Sequence, residues 1–190
     1  MALWGTTVTA DESKPKWLTD AQKKEVFATD RGWVQLNGKG NEEVLCSIGG
    51  LSGSSATTGL GAATISATDF VTETFDVSAG GNIDVRVIYN EKVDVTGNPT
   101  VAITNDQTGG GSAAALTAAY VSGTGTNRLT FRVTLGAGGT TVVADDVLSI
   151  GAQNVALAGG TLKDAGTTLN SLVAVSAAAG AAAGTLTAIA

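Results

Sequence analysis

Apolar and polar side chains alternate along the middle of this chain, which is the pattern of strands that bury one face. In NIDVRVIYNEKVDVTGNPTVAIT, residues 82–104, the odd-numbered side chains from Ile83 to Tyr89 are apolar. The pattern breaks at Asn98 and Pro99 and then resumes. Residues 129–135, LTFRVTL, repeat the same period. These two segments are predicted to be strands of a half-buried sheet.

Weaker strand patterns surround these two segments, and Gly-rich turns separate them. They occupy residues 70–77, 99–104, 116–121, 147–150, 155–158 and 161–163. About seven short strands with Gly-rich turns are typical of a β-sandwich. The sequence therefore predicts an all-β fold, in which residues 66–172 form one sandwich.

Residues 1–51 have a different character and are predicted to form an N-terminal arm. In WLTDAQKKEVFATD, Thr19 or Asp20 can cap a short helix that extends through Phe27. Further on, residues 33–36 and 43–48 flank NGKGN, which predicts a β-hairpin. A helix and a hairpin of this length are marginal alone, so the arm is predicted to pack against another surface.

Two segments of low complexity complete the chain. Residues 52–65 are rich in Gly, Ser, Thr and Ala and carry no charge, which predicts a flexible or extended linker. Residues 173–190 form an Ala/Gly-rich tail. The tail could continue as a helix, thread a narrow groove or stay disordered.

Charge and composition exclude several classes of partner. The formal net charge is -6, and most of the acidic excess lies after residue 50. This balance opposes nonspecific binding to phosphate backbones, so nucleic acid is not expected as a partner. The start of the chain lacks the pattern of a secretory signal, and no long apolar span is present, so we expect synthesis in a cytoplasm and no membrane contact. Cys46 is the single cysteine, and a small buried thiol is the favoured interpretation.

Candidate chemistry is sparse, and no catalytic residue or cofactor is predicted. The chain has no histidine, which removes the usual general base and a common metal ligand. Asp145 and Asp146 are adjacent, and adjacent strand residues point to opposite faces, so the pair is not expected to share a catalytic proton. The loop at residues 104–111 and the acids at 144–146 could offer oxygens to Ca²⁺, but solvated turns are favoured. The short glycine runs lack the rest of a phosphate-binding loop and are interpreted as hairpin turns.

Aromatic and basic residues of the arm are the candidate partner contacts. A segment of about 50 residues has too small a core to enclose three indoles alone, although a miniature core around a phenylalanine could take one or two. Exposed aromatic side chains often anchor protein interfaces. The lysines could face an acidic surface, with a solvated helix face as the alternative. The candidates are Trp4, Trp17, Phe27, Trp33, Lys23 and Lys24.

The strand segments also carry a family resemblance. NIDVRVIYNEKVDVTGNPTVAIT, AAYVSGTGTNRLTFRVTL and VALAGGTLKDAGTTLNSLV resemble a bacterial Ig-like repeat of large surface and adhesin-type proteins. The likeness covers about residues 70–172. It implies a seven-stranded Ig-like sandwich without catalytic residues. The repeat occurs once here and not in tandem.

The arm carries a second resemblance. KPKWLTDAQKKEVFATDRGWV and EEVLCSIGGL resemble the amino-terminal segment of virion structural proteins of tailed phages, particularly marine T4-like ones. Together the two halves imply a head decoration, or cement, protein on the capsid surface. Its partners would be the major capsid protein and neighbouring copies of itself. An Ig-like module that binds host-surface glycan, or placement at the neck or tail, is the alternative.

Overall fold

The computed structural model describes residues 14–57 and 59–190 of the chain. This part is mostly β, with a large mixed sheet and two short helices, α1 (Asp20–Glu25) and α2 (Ala177–Ala181). The strands are β1 (Val26–Thr29), β2 (Gly32–Leu36), β3 (Glu42–Ser47), β4 (Ile65–Phe70), β5 (Phe75–Asp76), β6 (Gly81–Thr96), β7 (Thr100–Asn105), β8 (Ala115–Ser122), β9 (Thr126–Leu135), β10 (Val147–Ser149), β11 (Gln153–Asn154), β12 (Thr161–Asp164), β13 (Ala174–Val175) and β14 (Thr185–Ile189).

The large sheet is organised around β6, its longest strand. The sheet order is β3-β2-β1-β6-β9-β8-β7-β10-β14-β5, and both β4 and β12 also pair with β6. β6 pairs antiparallel with β9 over most of its length, so Val85 lies opposite Phe131. Their inward side chains join one core with residues from β7, β8, β10 and β14. These strands therefore curl around a common apolar interior, as an all-β sandwich does.

The strand predictions from alternation are largely confirmed. The segments at 83–89 and 129–135 are β6 and β9, and they pair with each other. β7, β8, β10 and β12 lie where weaker patterns predicted strands. Two of the weaker predictions are exceptions. In residues 155–158 only Ala156 forms an isolated bridge, to Thr100, and residues 70–77 contain just the end of β4 and the two-residue β5.

The helix and hairpin of the arm are present, but the helix is shorter than predicted. Thr19 caps α1 and exchanges hydrogen bonds with Gln22 in a capping box. The helix ends at Glu25, and the next four residues form β1, which the sequence pattern did not reveal. β1 pairs antiparallel with β2 and makes one parallel bridge to β6, from Ala28 to Glu91. The arm sheet is thus continuous with the sandwich sheet.

The segment predicted as a linker is folded back on itself. The Leu60 amide donates to the Leu51 carbonyl at 2.8 Å, and the Gly61 amide donates to the Gly53 carbonyl at 3.1 Å. Leu51 and Ala63 are buried, one in the arm core and the other in the sandwich core. These backbone bonds make a compact loop where a flexible or extended connection was expected.

The Ala/Gly-rich tail forms part of the sheet. β14 pairs antiparallel with β10 and parallel with β5, and it buries Leu186 and Ala188 in the sandwich core. Before it, α2 packs on β4, where the Thr68 hydroxyl donates to the Ala179 and Gly180 carbonyls. In the described ranges, neither helix has the length and apolar character needed to cross a bilayer.

Candidate partner-binding surface

The arm has its own small core, which fixes its shape. Trp33 is fully buried there with Leu18, Val26, Ala28 and Leu51. The antiparallel register explains this set, since it places Trp33 of β2 directly opposite Ala28 of β1. The arm can therefore present a defined surface.

Charged contacts hold α1 against the sandwich. Lys24 Nζ donates to the Ala182 carbonyl at 2.8 Å and lies 3.3 Å from Asp69 Oδ1. The Arg128 guanidinium donates to the Lys24 carbonyl at 3.1 Å and pairs with Glu25. The arm is thus attached through side chains as well as through the β1–β6 bridge.

A cleft of about 510 Å³ lies between α1, the sandwich sheet and α2. Its charged lining is balanced, with Asp20, Glu25 and Asp69 against Lys24, Arg86 and Arg128. Several of these groups already pair with each other across the cleft. The cleft therefore carries no net charge with which to select a charged ligand.

The aromatic candidates have different environments. Trp17 is 70% exposed, although its neighbour Leu18 is buried. Phe27 and Trp33 are enclosed within the chain and present no surface to a partner. The expectation that these two contact a partner is corrected accordingly: Trp33 lies in the arm core, and Phe27, on the opposite face of the β1–β2 pair, lies beneath the Lys92 ammonium. Trp4 lies outside the described residues.

The two lysine candidates also differ. Lys24 holds α1 to the sandwich, as described above, and this occupies its ammonium within the chain. Lys23 forms an i,i+3 ion pair with Asp20 on the exposed side of α1. Of the two lysine candidates, Lys23 is therefore the one that remains accessible to a partner.

The β2–β3 hairpin supplies a second exposed apolar feature. Leu36 is 49% exposed and Val44 is 42% exposed. The register pairs Val34 with Val44 and Leu36 with Glu42, which places these side chains on the face opposite the arm core. Among the described residues, β3 pairs only with β2, so its outer backbone edge is open. An open edge of this kind can add a strand from another protein.

Glu42 anchors the hairpin to β6. It accepts hydrogen bonds from Lys92 at 2.6 Å and from Arg31 at 2.5 Å. The Lys92 bond is the main reason why the pKa of Glu42 is lowered, against the opposing effect of burial. Lys92 also lies over the ring of Phe27. These contacts tie β3 to β6 and to the turn between β1 and β2.

Asp146, expected in a solvated turn, is a buried structural carboxylate. It accepts hydrogen bonds from Asn105 Nδ2 at 2.8 Å, the Gly109 amide at 2.9 Å, the Val143 amide at 3.0 Å and the Gly111 amide at 3.3 Å. Burial opposes its ionisation, but these donors lower its pKa. Within the described ranges, no group of three or more acidic or cysteine side chains is arranged to hold a metal ion. Asp146 ties two loops of the sandwich together.

Sequence reasoning missed a buried pair of acids, Glu91 and Asp164, near the bridge between arm and sandwich. Each of them is only 1% exposed. Burial, followed by the charge and hydrogen bond of Asp164, raises the pKa of Glu91 to about 8. The sequence did hold a signal, because Glu91 occupies an odd-numbered position in the alternation that otherwise places Val85, Val87 and Val93 inside.

Comparisons of the chain with protein-family models, with curated proteins and with solved structures find no match.

Proposed function

We propose that this chain is a structural protein of a tailed-phage virion, a head decoration protein that binds the major capsid protein through its arm and stabilises the shell. We further propose that the sandwich is of the Ig-like class and faces outward. The exposed indole of Trp17 carries the proposal, because it is the largest and most exposed apolar side chain in the described part of the arm, ahead of Leu36 and Val44. Such side chains are typical anchors of protein interfaces.

The different exposure of aromatic side chains in the arm and in the sandwich supports binding through the arm. Among the described residues, Trp17 is the sole exposed aromatic side chain, and the aromatic rings of the sandwich are buried or half-buried. Tyr120, one of the two half-buried rings of the sandwich, packs edge-to-face on Phe131, and its hydroxyl accepts a hydrogen bond from the Thr124 amide. Glycan sites usually rely on exposed aromatic faces, so these observations favour the arm as the binding element.

The mechanism we propose is stabilisation by mass action. A protein that binds the assembled shell but not its free subunits shifts the equilibrium towards the shell. Neither a catalytic group nor a cofactor is needed for this role. The protein would reside on the virion surface after synthesis in the host cytoplasm.

The open edge of β3 supports a contact between neighbouring copies. If two β3 strands pair antiparallel about Val44 and Leu45, Glu42 lies opposite Ser47 and Glu43 lies opposite Cys46. No two carboxylates are then directly opposed, which is the arrangement that destabilises cross-strand pairs. The exposed side chains of Val44 and Leu36 would lie beside this seam.

Co-sedimentation with shells that lack this protein tests the proposal. The Trp17→Ala variant should fold normally, because its side chain is mostly in solvent, and should lose most of its binding. The control is Leu172→Ala, which removes a 53% exposed side chain from the opposite end of the chain sequence and should bind as the unmodified protein does. Deleting residues 1–31 is a poorer test, because it removes β1 from the sheet.

Equal binding by the Trp17→Ala variant and the unmodified chain would refute the arm as anchor. A glycan array probed with the full chain tests the alternative function. Specific glycan binding that survives Trp17→Ala, together with no binding to shells, would favour the host-recognition role.

A further inference from the structure

Glu91 and Asp164 meet where the arm joins the sandwich. β6 has a register shift between Ile88 and Val93, and Glu91 lies within it. On one side, Glu91 is the residue that forms the single bridge to β1, at Ala28. On the other side, β12 pairs Asp164 with Val93. The carboxyl groups are therefore placed at the junction of three strands.

Apart from each other, the two carboxyl groups have few hydrogen-bond partners. Asp164 Oδ1 accepts the Gly166 amide at 2.7 Å and the Thr167 amide at 3.1 Å. Both carboxyl oxygens of Glu91 and Oδ2 of Asp164 are buried, and no N–H or O–H group of the other described residues donates a hydrogen bond to them. Asp164 lies opposite Val93, two residues from Glu91 on β6, so the two side chains are diagonal neighbours across the β6–β12 pair, and the charge and hydrogen bond of Asp164 help to raise the pKa of Glu91. Ionised carboxylates only accept, so this bond requires that one of them carries a proton.

The charged groups on the surrounding elements do not neutralise the pair. Lys92, the neighbour of Glu91 on β6, turns towards Glu42 and the Phe27 ring. Asp94 on β6 and Lys163 on β12 are exposed. β1 and residues 165–168 contain no titratable side chain. In the part of the chain that the structure describes, no cation pairs with either acid.

We propose that Glu91 and Asp164 share a single proton, and that this proton locks the arm to the sandwich. Two buried negative charges in contact repel each other and lack the solvation that water supplies. With one proton, the pair becomes a hydrogen bond across the joint. Loss of the proton would push β12 and the β1–β6 bridge apart, so alkaline conditions would release the arm.

Stability should depend on pH in a particular direction. An acid whose folded pKa lies above its unfolded pKa binds more protons in the folded state between the two values. For Glu91 these are an ordinary 4.5 and about 8 in the fold. Over this range the ratio of folded to unfolded protein should fall by up to about tenfold per pH unit through this group, and the fall should level off above about pH 8.

The experiment compares the full chain with Glu91→Gln in denaturant unfolding from pH 5 to 9.5. The amide that this substitution introduces can donate to Asp164 at every pH, so the variant should lose most of this slope and be the more stable protein at pH 9. Glu43→Gln, an exposed acid of β3, is the matched control and should keep the slope. Hydrogen exchange of the β1 amides should accelerate above pH 8 in the unmodified chain, beyond the intrinsic increase, and not in Glu91→Gln.

Carboxyl carbon NMR of the unmodified chain provides a readout that does not depend on a variant. A shared proton predicts that the pair titrates in two steps, one of them above pH 7. Titration of both carboxyls below pH 5, or an unchanged slope in Glu91→Gln, would overturn the proposal. Addition of CaCl₂ at pH 9 provides a further test: restored stability that EDTA reverses would show that the pair binds a cation in place of the proton.

Discussion

Replacement of Asp146 by alanine should destabilise the sandwich strongly, although the residue lies in a loop. Its carboxylate accepts four hydrogen bonds, from Asn105, Gly109, Gly111 and Val143. Gly109 is exposed and Val143 is half-buried, so water can replace the carboxylate at those two amides. Asn105 and Gly111 are buried, and each would be left with an unsatisfied donor. At about 1–3 kcal/mol for each buried donor, the expected loss is about 2–6 kcal/mol.

The same carboxylate predicts how this loss varies with pH. Because the pKa of Asp146 is lowered in the fold, its stabilising contribution is complete above its ordinary pKa of 3.8. The contribution disappears as the pH falls through the lower folded value. The difference in unfolding free energy between Asp146→Ala and the unmodified chain should therefore be constant near neutral pH and shrink below about pH 3.8.

Urea unfolding of the two proteins at pH 7 and at pH 3 measures both effects. Asp94→Ala is the control, since Asp94 is exposed on β6, and it should change stability by less than about 0.5 kcal/mol. A loss at Asp146 no larger than this control would refute the assigned role. Stabilisation of the unmodified chain by Ca²⁺, absent from Asp146→Ala, would instead indicate that the loop is a cation site.

Three further substitutions test the packing of the arm, the hairpin and the tail. Trp33→Ala should lower the free energy of chemical unfolding by about 3–5 kcal/mol, because the indole fills the arm core. Trp17→Ala should change it by less than about 0.5 kcal/mol, because this indole is exposed. Similar losses in the two variants would contradict the assignment of Trp33 as buried and Trp17 as exposed. Gly32→Ala should disrupt the hairpin and lower the melting temperature, since Gly32 has φ +123° and a Cβ would lie 2.1 Å from the Cys46 carbonyl oxygen. Gly136→Ala is the control, because a Cβ there would have no atom within 4 Å, and it should leave thermal unfolding unchanged. Leu186→Ala should lower the free energy of unfolding by about 2–5 kcal/mol, because Leu186 of β14 is part of the sandwich core. Leu172→Ala is the control, because Leu172 is exposed. Small and equal losses in the two variants would instead indicate that the tail rests on the surface.

Local patterns in the sequence identified the elements whose side chains alternate strictly. β6 and β9 follow a clear period of two, and Thr19, one of the two predicted cap candidates, is the cap of α1. β1 was missed because Val26 and Phe27 continue an amphipathic helical pattern, and only pairing with β2 and β6 makes the segment extended. Tertiary pairing overrides local propensity in such short segments.

The tail and the folded-back segment show a different limit. Leu186 and Ala188 do alternate with Thr185 and Thr187, but the surrounding Ala and Gly obscure a strand of five residues. The loop at 52–65 is held by backbone hydrogen bonds, which composition does not encode. For the candidate site, composition could not separate Trp17 from Trp33, because the β1–β2 register and not the residue type determines which indole is buried.

A reconstruction of tailed-phage particles assembled in the presence of this protein tests the proposed function most directly. The proposal predicts that the arm lies on the outer face of the shell, with Trp17 in contact with the major capsid protein and the sandwich projecting outwards. A map in which the sandwich contacts the shell while Trp17 faces solvent, or in which the head surface lacks this chain, would contradict it.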